Sequence, residues 1–195
     1  MRKRKLKKSV KRKLFFLVFM LAIIYMASNQ KSGPANTAIE PSIPEEFIPI
    51  YQAAEKEYGV PWELLAAHHR VETKFSKMDP MVSPAGAEGP LQFMPCTFVG
   101  WSHPTCNGLG KGNIPNEDKV DPAVIKKYGG YGVDANGDGK ADPYDIEDAV
   151  FSAASYLESH GAANGELKKA IYAYNHSEQY VDDVLHYFYA YKSKE

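Results

Sequence analysis

Pro61-Trp62-Glu63-Leu64-Leu65-Ala66-Ala67-His68-His69-Arg70-Val71-Glu72-Thr73-Lys74-Phe75 is the stretch on which the reading of this chain turns. At about 100° per residue, Leu64, Leu65, His68, Val71 and Phe75 share one apolar stripe of a helix, and Glu72 falls inside that stripe. Proline at the start fits a helix that begins here, which sets Glu72 near the C-terminal pole, where the dipole disfavours a further negative charge. Desolvation and dipole both raise the carboxyl pKa, the condition for a general acid near neutral pH. A Glu paired with a core Arg, or capping a neighbouring loop, is the structural alternative that the helix alone leaves open. His68 and His69 lack the His-Glu-x-x-His order of a zinc hydrolase. His68 is expected to pack beside Leu64 and Leu65, and His69 to be partly exposed.

Outward from this helix, the spacing predicts helices at 45–58, 61–74, 89–100, 145–160, 164–175 and 177–191, and no stretch sustains the alternation of a strand. In 145–160, Ile146, Ala149, Val150, Ala153, Ala154 and Leu157 follow helical spacing, with Asp145 and Asp148 placed to cap the first turn. The fold class is therefore mainly α. Two Gly- and Pro-rich connections, 76–88 and 101–144, interrupt the helices, and connections of this kind in a compact domain are usually functional or held by a ligand. The second contains Asp134-Ala135-Asn136-Gly137-Asp138-Gly139-Lys140-Ala141-Asp142-Pro143-Tyr144-Asp145. Its oxygen-bearing side chains and its turn glycine stand where an EF-hand loop has them. The expected Ca²⁺ ligands are Asp134, Asn136, Asp138, Asp142 and Asp145 with Lys140 at the backbone-carbonyl position, and Asp145 stands where Glu is usual. An acidic turn without metal is the other reading.

The first thirteen residues hold nine Lys or Arg and no acid, and an apolar run follows at 14–27. A basic tip feeding a hydrophobic run predicts a cytoplasmic N-terminus with the remainder outside the membrane. The run is short against the roughly 17–25 residues of a spanning helix, but it lacks a clean small-x-small cleavage site. An uncleaved transmembrane anchor with snorkelling Lys and Arg is expected, giving a cell-membrane location; a cleaved signal segment would make the domain secreted. Beyond the tip, 14 Lys and Arg face 24 acids, a net charge of −10. That balance excludes a nucleic-acid partner. Residues 28–44, with Gly33-Pro34, Pro41 and Pro44, read as a linker, and 45–195 as one domain. Cys96 and Cys106 are disulfide candidates in an oxidising compartment; free thiols, or a zinc site with His103 that lacks a fourth ligand, are the alternatives.

Val71-Glu72-Thr73-Lys74-Phe75, Ser83-Pro84-Ala85-Gly86-Ala87-Glu88-Gly89-Pro90-Leu91-Gln92-Phe93-Met94-Pro95, the calcium-type loop and Ala173-Tyr174-Asn175 come in this order. Together they resemble the lytic transglycosylases of the lysozyme superfamily over residues 46–191. The Gly-Ala-x-Gly-x-x-Gln-Phe-Met-Pro string and the acidic loop look most like the membrane-bound type B enzymes, and Ala-Tyr-Asn is similar to the soluble and goose-lysozyme-like branch. The resemblance implies a lysozyme-like helical domain whose cleft binds peptidoglycan glycan strands. It implies Glu72 as the single catalytic acid/base, Ser83 and Gln92 lining the cleft near the scissile sugar, and Tyr174 and Asn175 holding the N-acetylmuramic acid side. The implied reaction breaks the bond to N-acetylglucosamine and closes a 1,6-anhydro ring without water. A lysozyme-type hydrolase would use a second carboxylate, with Asp79 and Glu88 as candidates. A non-catalytic peptidoglycan-binding module is the remaining reading. Residues 100–132, holding Trp101, His103, Cys106, Tyr128 and Tyr131, look like an insertion that shapes the cleft or braces the acidic loop.

Overall fold

Helical spacing of apolar residues is realised as eight α-helices among the described residues, 42–193, of the computed structural model. These are α1 (Ile48–Tyr58), α2 (Trp62–Thr73), α3 (Pro95–Val99), α4 (Asn116–Val120), α5 (Pro122–Tyr128), α6 (Ile146–Ser159), α7 (Leu167–Tyr174) and α8 (Glu178–Lys192). The membrane segment expected at 14–27, the basic tip and most of the linker lie outside the described residues. Among those described, no helix is long and apolar enough to cross a membrane.

α2 is the axis of the fold. Leu64, Leu65, Ala66, Ala67, His68 and His69 are all fully buried, so this helix is enclosed on more than one side. α8 covers it most extensively through Val181, Val184, Leu185 and Phe188, α1 packs against a second side, and α6 closes the core behind α1. Each fully buried Leu, Val or Phe in such a core contributes about 1.5–3 kcal/mol. The termini are set locally: Gly59 ends α1 in the left-handed conformation with its N–H on the Glu55 carbonyl. Asp145 caps α6 by accepting from the Glu147 and Asp148 N–H groups, and Ser177 caps α8 by accepting from Tyr180 N–H.

Three expectations are corrected. His69 is buried rather than partly exposed, because α2 has too little solvent face: its Nδ1 meets the Tyr51 hydroxyl at 2.7 Å and its Nε2 the Ser76 hydroxyl at 2.8 Å. The helix expected over 89–100 is confined to Pro95–Val99. Gly89 and Gln92 take positive φ, and isolated antiparallel bridges pair Glu88 with Val82 and with Phe93. The connection 101–144 contains α4 and α5, two short helices that carry no long apolar stripe.

Candidate active site

Glu72 sits in the last turn of α2 and is half-buried, with one face open to a cleft. Its Oε1 accepts a hydrogen bond from the Tyr180 hydroxyl of α8 at 2.5 Å. The same hydroxyl lies 2.9 Å from His68 Nδ1. Tyr180 has one proton to give and gives it to Glu72, so His68 donates from Nδ1 and is held in that tautomer. Burial holds the His68 pKa down to about 3, so the ring is neutral, and its Nε2 lone pair is buried with no hydrogen-bond partner. Burial pushes the Glu72 carboxyl up to about 7, against the opposing pull of the Tyr180 hydrogen bond. Among the described residues no Lys or Arg pairs with Glu72; Arg70 instead lies over the Tyr187 ring at 5.2 Å. The core ion pair that the sequence left open is absent there, and desolvation governs this acid.

The cleft has a volume of about 440 Å³ and brings together Glu72, Ser83, Gln92, Tyr174 and Asn175, with His176 beside them. Ser83 closes a tight turn in which its hydroxyl accepts from Ala87 N–H at 3.0 Å. Gln92, at φ 51°, donates from Nε2 to the Gly89 carbonyl at 2.7 Å. Tyr174 donates its hydroxyl to the Leu91 carbonyl at 2.8 Å, so its ring forms cleft wall while its polar end fixes the turn before Gln92. Asn175 follows as the exposed C-cap of α7. The two candidate second carboxylates are elsewhere. Asp79 is exposed, and Glu88 is bound to Lys119 Nζ at 2.6 Å beside a different recess. Glu72 is the single carboxylate among the residues lining its cleft.

Sequence reasoning missed Tyr180 and the role of His68. Tyr180 approaches Glu72 from 108 positions away, so no local pattern signals it. His68 was findable, since i and i+4 on a helix share a face.

In the acidic loop, side chains serve the loop's own backbone. Asp134 accepts from Gly137 and Gly139 N–H, Asn136 from Asp138 N–H, Asp138 from Lys140 N–H and Asp142 from Tyr144 N–H. Asp145 is committed to the α6 cap. The centre belongs to Asp148, which the sequence reading placed as a helix cap: fully buried, it accepts from Ala135, Asn136 and Asp142 N–H and so ties the loop's two ends. Burial raises its pKa and those three hydrogen bonds oppose the rise. Among the described residues no three His, Cys, Asp or Glu side chains converge as a ready metal cluster. Cys96 and Cys106 are joined in a disulfide with their Cα atoms 5.7 Å apart.

The comparisons with known proteins bear on this site. Residues 125–168 match the family described as Transglycosylase SLT domain, a span that takes in most of α5, the acidic loop and α6. A curated relative, the L-Ala--D-Glu endopeptidase of Bacillus subtilis (strain 168), is 23% identical over 177 residues, covering 90% of this chain and 51% of that protein. The chain thus spans about half the length of that relative. No solved structure matches. With the matched segment next to a cleft that gathers Glu72, Ser83, Gln92, Tyr174 and Asn175, the chain is identified as a lytic transglycosylase of the lysozyme superfamily.

Proposed function

We propose that this protein cleaves the β-1,4 bond between N-acetylmuramic acid and N-acetylglucosamine in peptidoglycan and leaves a 1,6-anhydro muramic end. The observation that carries this reading is that Glu72, kept protonated near neutral pH by burial, is the one carboxylate lining its cleft. Glu72 gives its proton to the bridging oxygen as the C1–O bond breaks and positive charge spreads over the ring carbon and oxygen. The Glu72 carboxylate, steadied by the Tyr180 hydroxyl, then takes the proton of the C6 hydroxyl, whose oxygen bonds to C1. One carboxylate serves both steps and regains its proton. A hydrolase of the same bond would commonly call on a second carboxylate for water or covalent attack.

The acidic loop fits one Ca²⁺ as a structural ion. Its donors are hard oxygens, and buried Asp148 pairs with no Lys or Arg among the described residues, so a cation would offset its charge. Such an ion would hold the loop against the cleft. Gly89 lies so close to the Pro143 carbonyl that a Cβ there would stand 1.7 Å from its oxygen, and Gln92 hangs from the Gly89 carbonyl. We place the domain outside the cell membrane, tethered by residues 14–27, or secreted if that segment is cleaved.

The test is digestion of purified peptidoglycan by the full chain, as wild type and Glu72→Gln, with mass spectrometry of the products. Muramic ends about 18 Da lighter than hydrolysed ones, lost in the variant, are expected. Water-added ends would make it a lysozyme, and no soluble product from the wild type would leave a binding module.

A further inference from the structure

The insertion between α3 and α5 does more than brace the acidic loop. Beside the Glu72 cleft lies a second recess of about 220 Å³, walled by Trp101, Leu109, Met94, Thr97 and Tyr156. The two are continuous, because Gln92, Met94, Leu109, Tyr174 and His176 line both. Trp101 and Leu109 are large apolar side chains left 53% and 82% exposed, which a chain does not need for its own core. They are held in place nonetheless. The disulfide closes the segment carrying Trp101, and Cys96 N–H donates to the Gly110 carbonyl at 2.8 Å. The indole edge rests on Gly110, where a Cβ would stand 3.1 Å from the ring. His103, buried beneath, packs on Tyr128 at 4.8 Å and bonds Thr105 at 3.0 Å.

We infer that this recess is a further saccharide subsite of the cleft, in which Trp101 and Leu109 cover the apolar face of a sugar next along the strand from the cleaved bond. The inference rests on the proposed function and adds to it a determinant of strand binding. A sugar presents C–H groups on its faces and hydroxyls at its edge, and the recess matches that pattern: an indole and aliphatic wall with Thr97, Gln92 and His176 at its polar margin. A peptide stem is the poorer fit. Its carboxylates would call for Lys or Arg, and neither lines the recess.

The test uses the full chain carrying Trp62→Phe and Glu72→Gln, which leaves Trp101 as the one tryptophan and blocks turnover. Peptide-free glycan strands are expected to shift its emission to shorter wavelength, and free stem peptide to leave it unchanged. Trp101→Ala, and separately Leu109→Ser, are expected to weaken strand binding about fivefold to tenfold, and in the Glu72 enzyme to raise KM rather than lower kcat. Strands that bind and are cleaved with an unmoved Trp101 signal and an unchanged KM would overturn the subsite and leave the proposed function standing. A response to stem peptide in place of strands would make the recess a peptide site and overturn it as well. If no form binds or cleaves strands, the proposed function itself falls.

Discussion

Replacing Glu72 by Gln should make the folded protein more stable, and only at alkaline pH. Burial holds the Glu72 pKa at about 7 in the folded chain against an ordinary 4.5. For a carboxyl raised by folding, the sign is the reverse of the usual Asp or Glu case. The folded state binds the proton more tightly, so the contribution is fully present below about pH 4.5 and is lost as pH rises through about 7. The whole span corresponds to about 3 kcal/mol, reduced to about 2 because one face of the group meets water in the cleft. Gln keeps the shape and still accepts from the Tyr180 hydroxyl, but carries no charge to bury. Between pH 5 and pH 8 the stability gap in favour of Glu72→Gln should therefore widen by about 2 kcal/mol, or roughly 4–8 °C in Tm for a domain of this size. Urea unfolding of both full-length proteins at the two pH values, at one ionic strength, measures it. A gap that stays constant, or that favours the wild type at pH 8, would refute the reasoning that desolvation governs this acid.

The same proton sets catalysis: turnover should fall as pH rises above about 7, and Tyr180→Phe should move that limb to higher pH, as read from rates on peptidoglycan across pH 5–9. That variant also strips the partner from His68 Nδ1–H, at a cost of about 1–3 kcal/mol in denaturant titration. Reducing the disulfide, or Cys106→Ser, should cost about 3 kcal/mol by the chain-entropy account of so short a loop, compared by unfolding with and without reductant. Asp148→Ala removes the acceptor of three N–H groups and should destabilise by about 2–4 kcal/mol, and the rise in Tm on adding Ca²⁺ to the wild type should vanish with it. A wild-type Tm indifferent to Ca²⁺ would remove the metal from the loop.

The position of Glu72 was legible because one helical period carries both its face and its distance from the helix end. Ser83, Gln92, Tyr174 and Asn175 were legible through resemblance, and the structure gathers them around one cleft. His69 was misjudged because periodicity assumes a polar side facing water, and α2 is packed on its apparent polar side as well. Residues 89–94 read as helix because their apolar content fits one. Two positive φ values, at Gly89 and Gln92, are decided by contacts with Pro143 and Glu88 that lie outside any local window. Tyr180 and the loop-tying role of Asp148 are likewise tertiary facts.

What lies beyond local reading here is concentrated around the acid itself. Directly after Glu72 and Thr73, three consecutive non-glycine residues, Lys74, Phe75 and Ser76, hold φ of 54°, 62° and 60°, and Gln92 across the cleft holds 51°. L-residues resist this conformation by roughly 1–2 kcal/mol each, so it persists only where the surroundings over-determine it. The determinants are visible. Thr73 donates its hydroxyl to the Pro90 carbonyl at 2.8 Å and accepts from Ser76 N–H at 3.1 Å, Phe75 N–H reaches the His69 carbonyl at 3.2 Å, and the Ser76 hydroxyl meets His69 Nε2. The chain is thereby forced to leave α2 in a left-handed turn, which drops Phe75 into the core and brings the end of the helix against the turn that carries Gln92. Thr73 joins the two walls of the cleft. His69, buried against expectation, has a physical role in that joint: its two nitrogens connect Tyr51 of α1 to Ser76 of the turn. Glu72 is therefore positioned from two directions, by Tyr180 and His68 at its carboxyl and by the Thr73 turn at its backbone. A desolvated carboxyl that must release and regain one proton in place needs both.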